Sequence, residues 1–342
     1  MDARVGAALA RNDGLVTTRQ LRAVGVDPRR IAGWVRRGDL VALRRGVYTT
    51  RSLWESWDPY RGRPLARIRA AEMVLGLPHV LSHDSAAIVL DVPLVRPQDA
   101  EVHVTRLHLR GTRNEGGVRH HGARYSPSQV VEVGGLRLLD EARTVADLAR
   151  EHGYRAGLVA ADGALQLGVP RRALERAAAA MAGWPESRTV RAVVADADPG
   201  AESVGETLSR ELIMECGLGP VETQFPVRLP RGVAWCDLRV GRHMFEFDGR
   251  VKSRSVSDGG LADRELEQVL WDERARQREV CATGLGMSRI YWKDFWGAER
   301  ERAKARLQRE QAVTDLRFGR DLSPEQAGFA AAMRGRRSRA AG

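Results

Sequence analysis

The stretch DPRRIAGWVRRGDLVALRRGVY, residues 27–48, decides how the N-terminal part of the chain is read. Asp27 can cap a helix, and Pro28 takes its first position, where a missing N–H costs nothing. Ile31, Trp34 and Val35 then recur at the spacing that turns one helical stripe toward a core, leaving Arg29, Arg30, Arg36 and Arg37 on other faces. Arg29 and Arg36 are seven residues apart, as are Arg30 and Arg37, so the pairs project to nearly one side, with Gly33 between them permitting close backbone approach. Residues 40–48 read as two short strands around a basic turn that carries Arg44 and Arg45.

Upstream, Thr17 followed by Gln20 has capping-box spacing and starts a helix through Leu21 and Val24 that Gly25 stops. Helix, helix and basic hairpin together predict a winged helix over residues 1–50. Its second helix fits a major groove, and Arg44 and Arg45 on the wing reach neighbouring phosphates, which fix register without reading sequence. The competing reading is a helical hairpin whose arginines are only solvated.

Over the 342 residues, 55 Lys and Arg against 44 Asp and Glu leave a net charge of +11, a balance that favours a polyanionic partner. Cys216, Cys236 and Cys281 stand far apart with no C-x-x-C pair, which argues against a disulfide scaffold or a structural zinc site of that type. The lack of a long apolar run leads to the expectation of a soluble, cytoplasmic protein.

Beyond the hairpin, Ser52 to Pro64 reads as a linker, 65–195 as a middle α+β region, and 196–200 as a second break. From 200 to 310 the order is helix, three strands, helix, strand, helix, and 334–342 reads as a basic disordered tail. The expected fold class is therefore α+β multidomain, with an N-terminal winged helix-turn-helix, a middle α+β region and a C-terminal α/β domain.

In that last domain Trp235 to Gly249 alternates apolar with polar residues. A two-residue turn at Gly241-Arg242 makes cross-strand partners sum to 483 in residue number and sets Asp237 opposite Glu246. Glu246 and Asp248 share a strand face, and Glu202 and Glu206 lie on one face of the preceding helix. Crowded carboxylates of this kind suit a divalent cation with oxygen ligands, and Lys252 follows on the next loop. The same pattern also describes an amphipathic strand with its acids in solvent.

Two resemblances follow from these residues. The run Leu15-Val16-Thr17-Thr18-Arg19-Gln20-Leu21 through Arg44-Arg45-Gly46-Val47-Tyr48 resembles the winged-helix domain of AbiEi-type antitoxins, the DNA-binding half of type IV toxin–antitoxin systems. Ser82-His83-Asp84-Ser85-Ala86-Ala87 and Arg143-Thr144-Val145-Ala146-Asp147-Leu148-Ala149 are similar to segments of actinobacterial relatives and read as structural. For them we expect a helix-start hydrogen bond at His83 and an ion pair on the helix surface between Arg143 and Asp147, while His120 and His121 point to opposite faces of their strand.

The second resemblance is to the PD-(D/E)xK nuclease superfamily, restriction-endonuclease-like in fold, in the DUF559 branch related to the very-short-patch-repair endonuclease. It rests on Ser203, Glu206, Asp237, Glu246, Asp248 and Gly249, with Glu273, Arg274 and Arg276 on the later helix and Ile290-Tyr291-Trp292 after it. This likeness implies a catalytic set of Asp237, Glu246, Asp248 and Lys252, and Mg²⁺ held by Glu206, Asp237 and Glu246. The superfamily pattern has lysine where Asp248 stands, so either Lys252 substitutes from the loop or the site no longer cuts.

Two functions are thus expected. The first is a DNA-binding protein that hydrolyses phosphodiester bonds with Mg²⁺. The second is a transcriptional repressor or antitoxin with an inactive nuclease fold. Double-stranded DNA is the expected partner of both, a homodimer is compatible with both, and the antitoxin reading adds a nucleotidyltransferase-like toxin or its operon.

Overall fold

A computed structural model describes residues 3–95, 101–230, 232–249 and 263–340. The chain divides into two compact units, Met1–Ala197 and Asp198–Gly342.

The first unit opens with α1 (Ala3–Ala10), β1 (Val16–Thr17), α2 (Thr18–Ala23), α3 (Pro28–Arg37), β2 (Leu40–Arg44) and β3 (Val47–Thr50). The strands form an antiparallel sheet in the order β1-β3-β2, with Val16 opposite Tyr48 and Leu40 opposite Thr50. This fits the predicted winged helix, with α1 as an additional element. The expected caps close it: Thr17 Oγ1 accepts from Gln20 N at 3.1 Å, Gln20 Oε1 accepts from Thr17 N at 2.8 Å, and Asp27 Oδ1 accepts from Arg29 N at 2.6 Å. Val5, Leu9, Val16, Leu21, Ile31, Trp34 and Leu40 make the core. Each large side chain buried there stabilises the module by about 1.5–3 kcal/mol.

The segment expected as a linker is instead structured. It carries α4 (Arg51–Ser56) and the start of α5 (Gly62–Glu72). Thr50 Oγ1 caps α4 by accepting from Leu53 N at 3.2 Å, and Trp57 packs with Leu43 against a small core of Leu15, Val47, Ala66 and Ala70. Apolar residues reserved for that core outweigh the turn-like composition.

Next come β4 (Val80–Leu81), α6 (His83–Leu90), β5 (Val102–Arg106), β6 (Thr112–Glu115), β7 (Val118–Gly122), β8 (Val130–Val133), β9 (Leu136–Leu139) and four helices, α7 (Glu141–His152), α8 (Tyr154–Gln166), α9 (Arg171–Ala180) and α10 (Ser187–Asp196). The six strands run in the order β6-β7-β5-β4-β9-β8. Val102, Val104, Val118 and Leu138 turn to an apolar core with Ile68 and Ala86. Period-two alternation therefore sends His103, Thr105 and His121 to the other face. His120 shares the apolar face with Val118, so the two adjacent histidines separate as expected.

Arg143 and Asp147 do form an ion pair, Nε to Oδ2 at 2.9 Å, but their side chains are only 3% and 1% exposed, so the expected surface location is wrong. The reason is that α7 is buried from Ala142 to Ala149 and touches α6, α8, α9 and α10, leaving little outward face.

The second unit holds α11 (Val204–Glu215), β10 (Glu222–Leu229), β11 (Gly232–Val240), β12 (His243–Asp248), α12 (Asp263–Ala282), β13 (Gly286–Tyr291), α13 (Gly297–Phe318) and α14 (Pro324–Ala340). Its sheet runs β10-β11-β12-β13, with the first two pairings antiparallel and the last parallel. Leu238 pairs with Phe245, Arg239 with Met244 and Val240 with His243, the register anticipated from the Gly241-Arg242 turn. Phe225, Cys236 and Met244 from the sheet share a core with Val280 of α12 and Ala330 of α14.

Of the stretch 334–342 expected to be a disordered tail, the part up to Ala340 continues α14, and residues 341–342 lie outside the described residues. Arg334 pairs with Glu222 at 2.6 Å and lies over the Phe225 ring, so its charge is spent on the sheet. Among the described residues, no helix is long and apolar enough to cross a membrane.

Candidate nucleic-acid interface

On α3 the apolar stripe of Ile31 and Trp34 is buried, while Arg29, Arg30, Arg36 and Arg37 are all exposed on the opposite side. Gly33 lies in the middle of that basic side, where an added Cβ would meet only the tip of Arg37 at 3.4 Å. The backbone is thus free to approach a flat or grooved partner closely.

The four guanidinium groups are not equivalent. Arg37 is paired with Asp39, Nη2 to Oδ2 at 2.9 Å, just beyond the left-handed cap at Gly38. Arg30 lies over the indole of Trp34 at 5.1 Å, a contact that orders its stem without neutralising its charge. Arg29 and Arg36 are engaged by no carboxylate among the described residues.

The wing turns at Arg45-Gly46, where Gly46 has φ +81° and its carbonyl accepts from Thr18 N at 2.9 Å, tying the hairpin to the start of α2. Arg45 is exposed. Arg44 is half-buried, and its Nη2 donates to the carbonyl of Gly116 at 3.2 Å, in the turn between β6 and β7. Sequence reasoning passed over Arg19 and Arg22, both exposed on α2. In a helix-turn-helix the first helix crosses the phosphate backbone, so basic residues on it are the signal that was available.

The carboxylates lie in the second unit. The observed register, continued by one step, sets Asp237 beside Glu246, and Asp237 Oδ2 accepts from Phe247 N at 2.9 Å. Burial, reinforced by the charge of Glu246, pushes the Asp237 carboxyl up to about 6. Glu206 is likewise raised, by burial and then by Asp237, although Glu202 N, Ser203 Oγ and Gln224 Nε2 all donate to it.

Two acids have cationic partners. Arg276 Nη2 is 3.0 Å from Glu246 Oε1 and Arg289 Nη1 is 3.4 Å from Asp248 Oδ2. Arg276 also donates to the carbonyl of Trp235 at 2.7 Å, which fixes it over the strand. Lys252 and the side chain of Glu273 lie outside the described residues.

A three-stranded module with an exposed basic helix stripe has the form of a winged helix-turn-helix. Residues 7–50 match the family described as "Transcriptional regulator, AbiEi antitoxin". No curated protein matches the chain. Among solved structures, the RV2827C protein from Mycobacterium tuberculosis is similar at 17% identity, over 60% of this chain and 79% of that one, with a TM-score of 0.36, a level that carries no inference.

Proposed function

We propose that this protein is a transcriptional regulator that seats α3 in the major groove of double-stranded DNA, at a site that includes its own promoter. The observation that carries this reading is the exposed stripe of Arg29 and Arg36 opposite the buried Ile31 and Trp34, with Arg30 on its flank beside Trp34. Phosphate contacts from Arg36, Arg45 and the α2 arginines position the helix, and base edges are read by the residues nearest its N-terminus. Such a regulator acts in the cytoplasm on the chromosome. In the antitoxin form of this reading, its promoter also serves a nucleotidyltransferase-like toxin. Binding of the full chain to the DNA upstream of its own gene, measured with and without Arg29→Ala, Arg30→Ala and Arg36→Ala together, tests the proposal, and an orphan gene removes the antitoxin form alone.

A second reading, metal-dependent cleavage of DNA, is favoured by the raised Asp237 and Glu206 carboxyls, since partial burial and, after it, neighbouring negative charge are what a cation offsets. Their oxygen donors fit Mg²⁺, which Glu206, Asp237 and Glu246 would hold. When bound, the ion would polarise a scissile phosphate. The chain's own groups act as positioners: Phe247 N–H orients Asp237, Ser203 orients Glu206, and Arg276 orients Glu246. Because Arg276 and Arg289 already offset two of the acids, we rank this reading second. DNA incubated with the protein, with and without Mg²⁺ and beside Glu246→Ala, decides it: no cleavage by the wild type, or equal cleavage by the variant, removes the enzymatic claim.

A further inference from the structure

The polar face of the middle sheet carries three histidines that neither reading above uses. His83 begins α6, His103 lies on β5 and His121 on β7, and all three are buried. Because β5 and β7 are parallel with Thr105 opposite His121, His103 is the diagonal neighbour of His121 on the same face. His83 has φ +49°, a left-handed conformation rarely taken by a non-glycine residue, and its ring stacks on His121 with centres 3.8 Å apart and planes 18° apart, so the two rings ligate one ion only after one of them turns. Backbone strain of this kind persists where surrounding structure enforces it, commonly at binding sites.

One nitrogen from each ring lies within 4.8 Å of the other two, and His103 Nδ1 is 3.0 Å from His121 Nε2. Two imidazole nitrogens on one tetrahedral ion at bond lengths of ~2.0–2.1 Å stand about 3.3 Å apart. We propose that His83, His103 and His121 form a binding site for a divalent transition-metal ion of the zinc class.

The groups behind the rings support the assignment. His103 Nε2 faces Asp84 Oδ2 at 3.9 Å, and Asp84 is held in turn by His152 Nε2 at 2.7 Å. His83 Nδ1 is 2.9 Å from Ser82 Oγ, which accepts from Thr105 Oγ1 at 2.8 Å. Metal-binding histidines characteristically have their far nitrogen held by a carboxylate, carbonyl or water; here Asp84 stands near His103 beyond hydrogen-bond distance, and Ser82 Oγ is the hydrogen-bond partner of His83.

Three imidazoles with no carboxylate in the inner set select zinc, copper or nickel over magnesium or calcium. His83 and His121 also line a cavity of about 650 Å³ with Arg124, Asp147, Arg150 and Trp184, so a fourth coordination position would face open space.

The test uses the full chain, stripped with a chelator and titrated with Co²⁺ and Zn²⁺. We expect one equivalent of Co²⁺ to give a tetrahedral visible band, Zn²⁺ to raise the melting temperature, and X-ray absorption of the Zn²⁺ form to show a shell of three imidazoles. His103→Ala and His121→Ala should each abolish the band, Asp84→Asn should weaken binding by about 10–100-fold, and His120→Ala should leave it unchanged. No band and no melting shift in the wild-type protein overturns the proposal. So does a shell of sulfur or carboxylate ligands, which needs no variant to fold, or full binding by a folded His103→Ala protein.

Discussion

Arg37 Nη2 stands 2.9 Å from Asp39 Oδ2, so one of the four arginines on α3 has an internal counterion where Arg29, Arg30 and Arg36 have none among the described residues. Both side chains are well exposed, at 61% and 46%, and exposed pairs of this kind contribute at most about 1 kcal/mol to stability. Their effect falls on binding: the carboxylate competes with phosphate for Arg37.

Asp39→Asn should therefore leave the melting temperature nearly unchanged and tighten non-specific binding to DNA. The slope of log K against log salt should steepen by about 0.9, the contribution of one added phosphate contact. Fluorescence anisotropy on a random duplex at several salt concentrations reads both quantities. An unchanged slope means that Arg37 does not reach the backbone.

Loss of the cap at α2 should loosen the whole module. Thr17→Ala removes the acceptor for Gln20 N and should cost about 0.5–2 kcal/mol, read by denaturant unfolding.

The buried pair on α7 predicts a larger effect. Arg143 Nη1 also donates to the carbonyl of Arg124 at 2.9 Å, and burial raises the Asp147 carboxyl against the pull of Arg143. Arg143→Met should destabilise the first unit by up to about 3–5 kcal/mol by leaving the buried Asp147 only its 3.6 Å pair with Arg150, and Arg143→Met with Asp147→Leu should recover much of the loss. If the double variant is no more stable than the single, the cost lies in packing around the Trp184 ring, over which Arg143 sits at 5.3 Å.

In the second unit, His243 is buried between Thr314 Oγ1 and Ser288 Oγ, each 2.7 Å away, and burial lowers it to about 4. Its folded value lies below that of the unfolded chain, near 6.5, so the unfolded state binds the proton first as pH falls. Stability from this group is complete above pH 6.5 and declines toward pH 4, by about 2 kcal/mol at pH 5. Unfolding of the wild type compared with His243→Gln between pH 7 and 5 should show the smaller slope in the variant.

Legibility in the sequence followed locality. Thr17 with Gln20, Asp27 with Pro28, and Gly241-Arg242 each encode a conformation within a few residues, and these elements and the β11–β12 register agree with the sequence. The helix α14 had the same kind of signal, since Ser323 Oγ accepts from Gln326 N and Gln326 Oε1 from Ser323 N, with Pro324 at the first position. Its run of arginine and small residues hid the Ala330 and Arg334 contacts that fasten it. The histidine cluster was beyond such reading. His83, His103 and His121 come from three elements, and only the parallel pairing of β5 with β7 brings their faces together.

Salt-dependent binding of the full chain to its own upstream DNA, compared with the Arg29→Ala, Arg30→Ala, Arg36→Ala protein, tests the central claim most directly. The triple variant should keep its circular dichroism and melting temperature, lose most of its affinity for that DNA, and show a salt slope shallower by up to about 2.7, or 0.9 for each lost phosphate contact. A folded triple variant that binds the same DNA with unchanged affinity and slope would contradict it.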